Sequence, residues 1–165
     1  IMKVKYLLIL IMALGVAITS CKKDDDDDDN GGSGTTPNTS QGTMTLKVDG
    51  VDWSATLAVQ ATNANGVLTV AGSDANSKQC QVTIMNASGP GTYQLGGTPT
   101  NPNSGRWTKG TGQEDTYTTM LGIGSGTVTI TELTATSVKG TFEFTAKNTP
   151  QEEVSITNGS FSATF

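Results

Sequence analysis

From Thr43 to its end the chain keeps a side-chain period of two, and this rhythm limits the fold more than any other feature. Met44, Leu46 and Val48 alternate with Thr45 and Lys47, Asp49-Gly50 follows, and Val51, Trp53, Ala55, Leu57 and Val59 alternate again. Successive side chains on a strand point to opposite faces, and Asp-Gly accepts the positive φ angles of a two-residue hairpin turn. A hairpin is therefore expected here, with one continuous strand over 51–59. The same period recurs over 67–71, 79–85, 91–95, 106–108, 116–121, 127–133, 138–146 and 154–165. Clusters of Gly, Asn, Ser and Pro at 63–66, 73–77, 87–90, 96–105, 122–126 and 147–153 separate these runs. No window combines helical spacing with caps, and most connections are too short for a crossover helix, so neighbouring strands must run antiparallel. The pattern predicts an all-β domain of about ten strands, either an antiparallel β-sandwich or a flattened meander β-barrel, between which periodicity does not choose.

The last run carries a fault in its rhythm. Val154 and Ile156 share one parity, Phe161, Ala163 and Phe165 share the other, and Asn158-Gly159 lies between them. A bulge at Asn158-Gly159 would let both sets face one core.

Ahead of the β-rich region the chain has a different character. Lys3 and Lys5 precede an apolar run over 6–18, too short to span a bilayer, and Ile18-Thr19-Ser20-Cys21 fits the small-residue site at which a lipoprotein signal is cleaved. The expected division is a lipoprotein signal peptide over 1–20, a lipidated Cys21 with an acidic tag and flexible tether over 21–42, and a single all-β domain over 43–165. Several acyl chains on Cys21 would hold the protein to a membrane without spanning it. Lys22 and Lys23, followed by Asp24, Asp25, Asp26, Asp27, Asp28 and Asp29, resemble the signal that directs lipoproteins of the Bacteroidetes to the outer face of the outer membrane. Display on the cell surface is what this resemblance implies; the plainer alternative is a solvated, self-repelling spacer.

The net charge of −5 is dominated by those aspartates, six of the fifteen acids. From Thr43 onward nine acids face six bases, and no basic stripe is present, which argues against nucleic acid as a partner. There is no histidine, so Ser-His-Asp and Cys-His pairs and histidine-containing zinc sites are excluded. With Cys21 lipidated, Cys80 is alone, in phase with Val82 and Ile84, and reads as a small core side chain. No metal and no cofactor are expected. Asp49 with Asp52 and Glu114 with Asp115 are the only close carboxylate pairs a glycosidase could use, and both suit exposed turns better. Gly122-Ile123-Gly124-Ser125-Gly126-Thr127 lacks the Lys-Ser/Thr pair and the following helix that a phosphate loop needs.

Aromatics are few, so their positions carry weight. Trp53, Phe142, Phe144, Phe161 and Phe165 alternate in phase with apolar neighbours and are expected in the core. Trp107 lies beside Arg106 and Lys109 in a polar stretch. Arg106, Trp107, Lys109 and Tyr117 could form an exposed platform that stacks on a sugar ring or grips a protein. Alternatively 106–108 pairs with 116–118 and turns Trp107 and Tyr117 inward as a plug, the cheaper arrangement in a domain so short of aromatics. Thr127, Thr129 and Thr131, and Thr116 and Thr118, are expected to form outward ladders that β-propensity alone explains.

Met44 to Trp53, Gly91-Thr92-Tyr93, Lys139 to Ala146 and Ile156 to Phe161 together resemble small Bacteroidetes surface lipoproteins grouped as a domain of unknown function. The resemblance implies location and an all-β domain, and no activity. The functional expectation is a non-catalytic, lipid-anchored cell-surface β-domain that binds glycan or an envelope protein. The rivals are a purely structural envelope lipoprotein and a carboxylate-type hydrolase.

Overall fold

The computed structural model describes residues 42–165; Cys21, Lys22, Lys23 and the aspartates at 24–29 lie outside the described residues. The Asp49-Gly50 turn forms as the alternation predicts. Strand β1 (Gly42–Val48) meets β2 (Val51–Ser54) with Val48 opposite Val51, and Asp49 and Gly50 take φ angles of 49° and 83°. The expected single strand over 51–59 is in fact two. After Ser54 the chain leaves β1, to which Ala55 N–H still donates through the Met44 carbonyl. It then joins β4, where Leu57 N–H donates to the Ser73 carbonyl. Alternation continues across this crossing although the partner strand changes. Val51 and Leu57 are consequently exposed, at 70% and 62%.

The remaining strands are β3 (Ala58–Ala64), β4 (Val67–Ser73), β5 (Gln79–Met85), β6 (Gly91–Gly96), β7 (Ser104–Thr108), β8 (Thr116–Thr118), β9 (Ser125–Leu133), β10 (Ser137–Lys147) and β11 (Glu153–Thr164). All pairings are antiparallel. Strand 116–121 is shorter than expected: β8 stops at Thr118, and a 3₁₀ turn over Met120–Gly122 leaves Leu121 exposed at a φ of 57°.

The strands form two runs. One is β6-β9-β10-β11-β1-β2 and the other β3-β4-β5-β7-β8, joined where Lys147 of β10 pairs with Thr118 of β8. The path ends at β2 and β3 without closing, so the barrel alternative gives way to an open sheet folded into two facing layers. Short strands at the turning points, four residues in β2 and three in β8, leave too few ladder bonds for closure.

The two inner faces supply one core. Leu68, Val70, Cys80, Val82 and Ile84 from one layer meet Met44, Val128, Ile130, Phe142, Phe144 and Ile156 from the other. The layers approach closely at Gly105, where an added Cβ would lie 2.6 Å from the Phe144 ring. Cys80 is wholly buried, and burial pushes its thiol pKa far up, which keeps it a neutral packing group. The bulge sits at Asn158-Gly159: Phe142 faces Gly159 while Phe144 faces Ile156, so β11 spends one extra residue there. Val154, Ile156, Phe161 and Ala163 are therefore all buried. Phe165 departs from the expected core set and is 37% exposed, because β11 ends at Thr164.

Candidate functional site

Strands β7 and β8 pair with Trp107 opposite Tyr117 and Arg106 opposite Thr118. Alternation then sends Trp107 and Tyr117 inward, where they are 3% and 5% exposed, and Arg106 out to solvent. The exposed Trp107–Arg106 platform is thus not what forms. Trp107 instead becomes the floor of a different feature.

That feature is a cleft of about 410 Å³ whose lining includes Trp53, Trp107, Tyr117, Lys78, Lys109 and Glu153. Val51, Asp49 and Asp52 from the first hairpin complete its rim. Trp53 lies on the edge strand β2, half-buried, and meets Trp107 edge-to-face with ring centroids 5.2 Å apart. The expectation of a core Trp53 holds only in part: the ring packs against the core but is half-buried, because among the described strands β2 has a neighbour on one side only and its inward face also lines the cleft. The Trp53 Nε1–H donates to Asp74 Oδ2 at 2.8 Å. Asp74 is itself fixed by its turn, its Oδ1 accepting from the N–H groups of Asn76 and Lys78. Burial alone would raise the Asp74 pKa, but the donors of Trp53, Lys78 and Asn76, with the Lys78 charge, hold it below the ordinary 3.8. The indole is thereby clamped at two points, its ring by Trp107 and its N–H by a carboxylate.

On the far side, Lys109 Nζ donates to the Tyr117 hydroxyl at 2.8 Å, and that hydroxyl donates to Glu152 Oε2 at 3.1 Å. The ammonium is 5.2 Å from the ring centroid, so it meets the polar tip of Tyr117 and contributes little as a cation over its face. Asn148, buried, donates from Nδ2 to Glu152 Oε2 and to the Glu114 carbonyl, and accepts from Glu152 N–H. The Tyr117 hydrogen bond raises the Lys109 pKa, and the Asn148 and Tyr117 hydrogen bonds, then the Lys109 charge, lower that of Glu152. The network favours the ionised form of both groups, and of the two Lys109 lines the cleft.

Of the sequence candidates, the fold brings Trp107, Lys109 and Tyr117 together and leaves Arg106 outside. The sequence reading missed Trp53, Asp74 and Lys78 as site residues. A usable signal was present in Asp74, which opens the turn cluster 73–77 as Asp does when its side chain caps the backbone two residues on. Three of the four carboxylates in the sequence pairs hold structural partners. Asp52 binds Lys47 at 2.7 Å, Asp49 Oδ1 accepts from Ser155 N–H, and Asp115 Oδ2 accepts from Gly112 N–H. Among the described residues no group of three or more acidic or thiol ligands could hold a metal, and no helix is long and apolar enough to cross a membrane.

A two-layer antiparallel β-domain with an aromatic-walled cleft is an architecture shared by many binding modules, and by itself it names no ligand. The chain belongs to the family described as a domain of unknown function, DUF6252, whose model matches residues 40–164. No curated protein and no solved structure matches it.

Proposed function

We propose that this protein is a non-catalytic binding module, held to the outer membrane through lipid on Cys21 and displayed on the cell surface, whose Trp53 cleft takes a glycan. The observation that carries the binding reading is the clamped Trp53: an indole at the wall of an open cleft, locked by Trp107 and Asp74. A rigid aromatic loses little conformational freedom on contact, and a sugar ring offers it a C–H face. Around it Lys78, Lys109, Asp49, Asp52 and Glu153 offer donors and acceptors of both signs, suited to hydroxyls. An envelope protein presenting a polar loop is the second reading for the same cleft. The hydrolase reading is disfavoured because in each sequence pair at least one carboxylate serves a turn or an ion pair: Asp49 and Asp52 in the first, Asp115 in the second.

The binding reading is tested with a glycan array and intrinsic fluorescence. Trp53 and Trp107 are the only two tryptophans, so a glycan in the cleft shifts the emission, and Trp53→Ala weakens binding about tenfold or more. No spectral shift with any glycan on the array would reject the reading. Display is tested separately by replacing Asp24 to Asp29 with asparagine. The expected product is a lipidated protein that protease added to intact cells no longer reaches, and unchanged cleavage reduces the run to a spacer.

A further inference from the structure

Charge is divided unequally between the two walls of the Trp53 cleft. Strand β5 pairs with β7 through Cys80 opposite Trp107 and Gln79 opposite Thr108. The same register carried one residue further sets Lys78 opposite Lys109, both on the inward parity of Cys80 and Trp107, and both line the cleft. Two lysines therefore converge on one wall, just beyond the Trp107 floor. Like charges placed directly opposite each other on neighbouring strands repel, so the arrangement costs stability unless an anion lies between them.

The acids of the fold answer only one of the two. Lys109 has Glu152 at 3.7 Å and Asp115 at 4.0 Å, besides the Tyr117 hydroxyl. The half-buried Lys78 has neither an ion pair nor a hydrogen bond to its ammonium among the described residues. Asp74 lies close enough to feel its charge, yet both Asp74 oxygens are engaged, Oδ2 by Trp53 Nε1–H and Oδ1 by the N–H groups of Asn76 and Lys78. Asp74 thus fixes the Trp53 ring and, through the same turn, the backbone from which the Lys78 side chain departs. On the opposite wall Asp52 is held by Lys47 at 2.7 Å and Glu153 by Lys147 at 3.6 Å, while Asp49 accepts from Ser155 N–H. Each carboxylate keeps lone pairs for further hydroxyl donors.

We infer that the cleft takes an acidic sugar, its carboxylate or sulfate seated at Lys78 beside Lys109 while the ring lies against Trp53 and ring hydroxyls donate to the carboxylates of the opposite wall. The inference rests on the glycan reading of this cleft and names the class of glycan. A neutral sugar leaves the Lys78 ammonium without a counter-charge, and a cationic one meets two ammoniums. Lysine offers a compact point charge in place of a planar fork, so a carboxylate and a sulfate suit it alike.

The test titrates the full chain, in detergent micelles, with two matched pairs of oligosaccharides and reads the emission of Trp53 and Trp107. One pair is an oligogalacturonate and its methyl ester, which loses the charge and keeps the ring; the other is a sulfated galactan oligosaccharide and its desulfated form. At least one charged member is expected to bind about tenfold or more tightly than its neutral counterpart, and the pair that shows the preference identifies the anion. Raising salt from about 0.02 M to about 0.2 M weakens the charged member several-fold and leaves the neutral one unchanged. Lys78→Gln removes the preference and Lys78→Arg keeps it, with Tm within about 3 °C of wild type in both, since the Lys78 ammonium bonds nothing in the fold. Should Lys78→Gln fold poorly, the matched pairs and the salt series on the wild type decide alone. Equal affinity for charged and neutral members, or a folded Lys78→Gln protein that keeps the preference, overturns the inference and leaves the glycan reading standing. Emission unmoved by all four oligosaccharides, while other glycans of the array do move it, overturns the inference alone; an array without any binder removes both.

Discussion

The two tryptophans occupy matching positions in strands of very different standing, and their fates run opposite to the local strength of the pattern. Trp53 sits in the most regular alternation of the chain, yet it is half-exposed. Trp107 sits in a polar stretch with Arg106 on one side and Lys109 two residues beyond, yet it is 3% exposed. The difference lies in the strands. β7 is flanked by β5 and β8 and roofed by β10 across the layers, with Gly105 against Phe144. β2 is a four-residue edge with β1 as its only partner among the described strands. Period two tells which face a side chain takes; depth is set by how many strands and layers surround it.

The largest expected effect breaks this comparison at its buried end. Trp107→Ala removes an indole from a closed site and should cost about 3–5 kcal/mol, read as a shift in the urea midpoint at constant slope. Trp53→Ala should cost about 2 kcal/mol, because much of that ring is already in water and the loss is the edge-to-face contact with its share of burial. A Trp53→Ala cost equal to that of Trp107→Ala would mean that edge and interior strands bury their aromatics alike, and the distinction drawn here would fail.

The same distinction marks what the sequence made legible. The Asp49-Gly50 hairpin, the lone buried Cys80 and the bulge at Asn158-Gly159 follow from rules that act within a few residues: turn dihedrals, parity and a break in parity. The pairing of 106–108 with 116–118 was one of two open arrangements, decided by a shortage of aromatics. The split of 51–59 was not legible, because Ala55 and Leu57 keep the rhythm while the chain changes layers, and parity carries no record of the partner. For the same reason the cleft was half visible. Lys109 and Tyr117 lie near Trp107 in sequence, whereas Trp53 and Lys78 arrive through the β1–β2 and β4–β5 turns, at separations that only the layer packing defines.

The smallest expected effect concerns the clamp that makes an edge tryptophan behave as part of a rigid wall. Asp74→Asn keeps the shape but turns the acceptor facing the Trp53 Nε1–H into a weaker, neutral one, and should cost about 1 kcal/mol. Acid should reach the same contact in the wild type. The Asp74 pKa in the folded protein lies below its ordinary 3.8, so the unfolded chain takes up this proton first as pH falls. The stability this carboxylate contributes is whole above pH 3.8 and is lost as pH drops through the lower folded value. Trp53 reports the event, since its N–H faces the titrating group: emission should change in that acid window before global unfolding, and the step should vanish in Asp74→Asn. A wild-type emission flat down to the unfolding transition would show that Trp53 stands in the cleft without the carboxylate's help, leaving Trp107 alone to hold it.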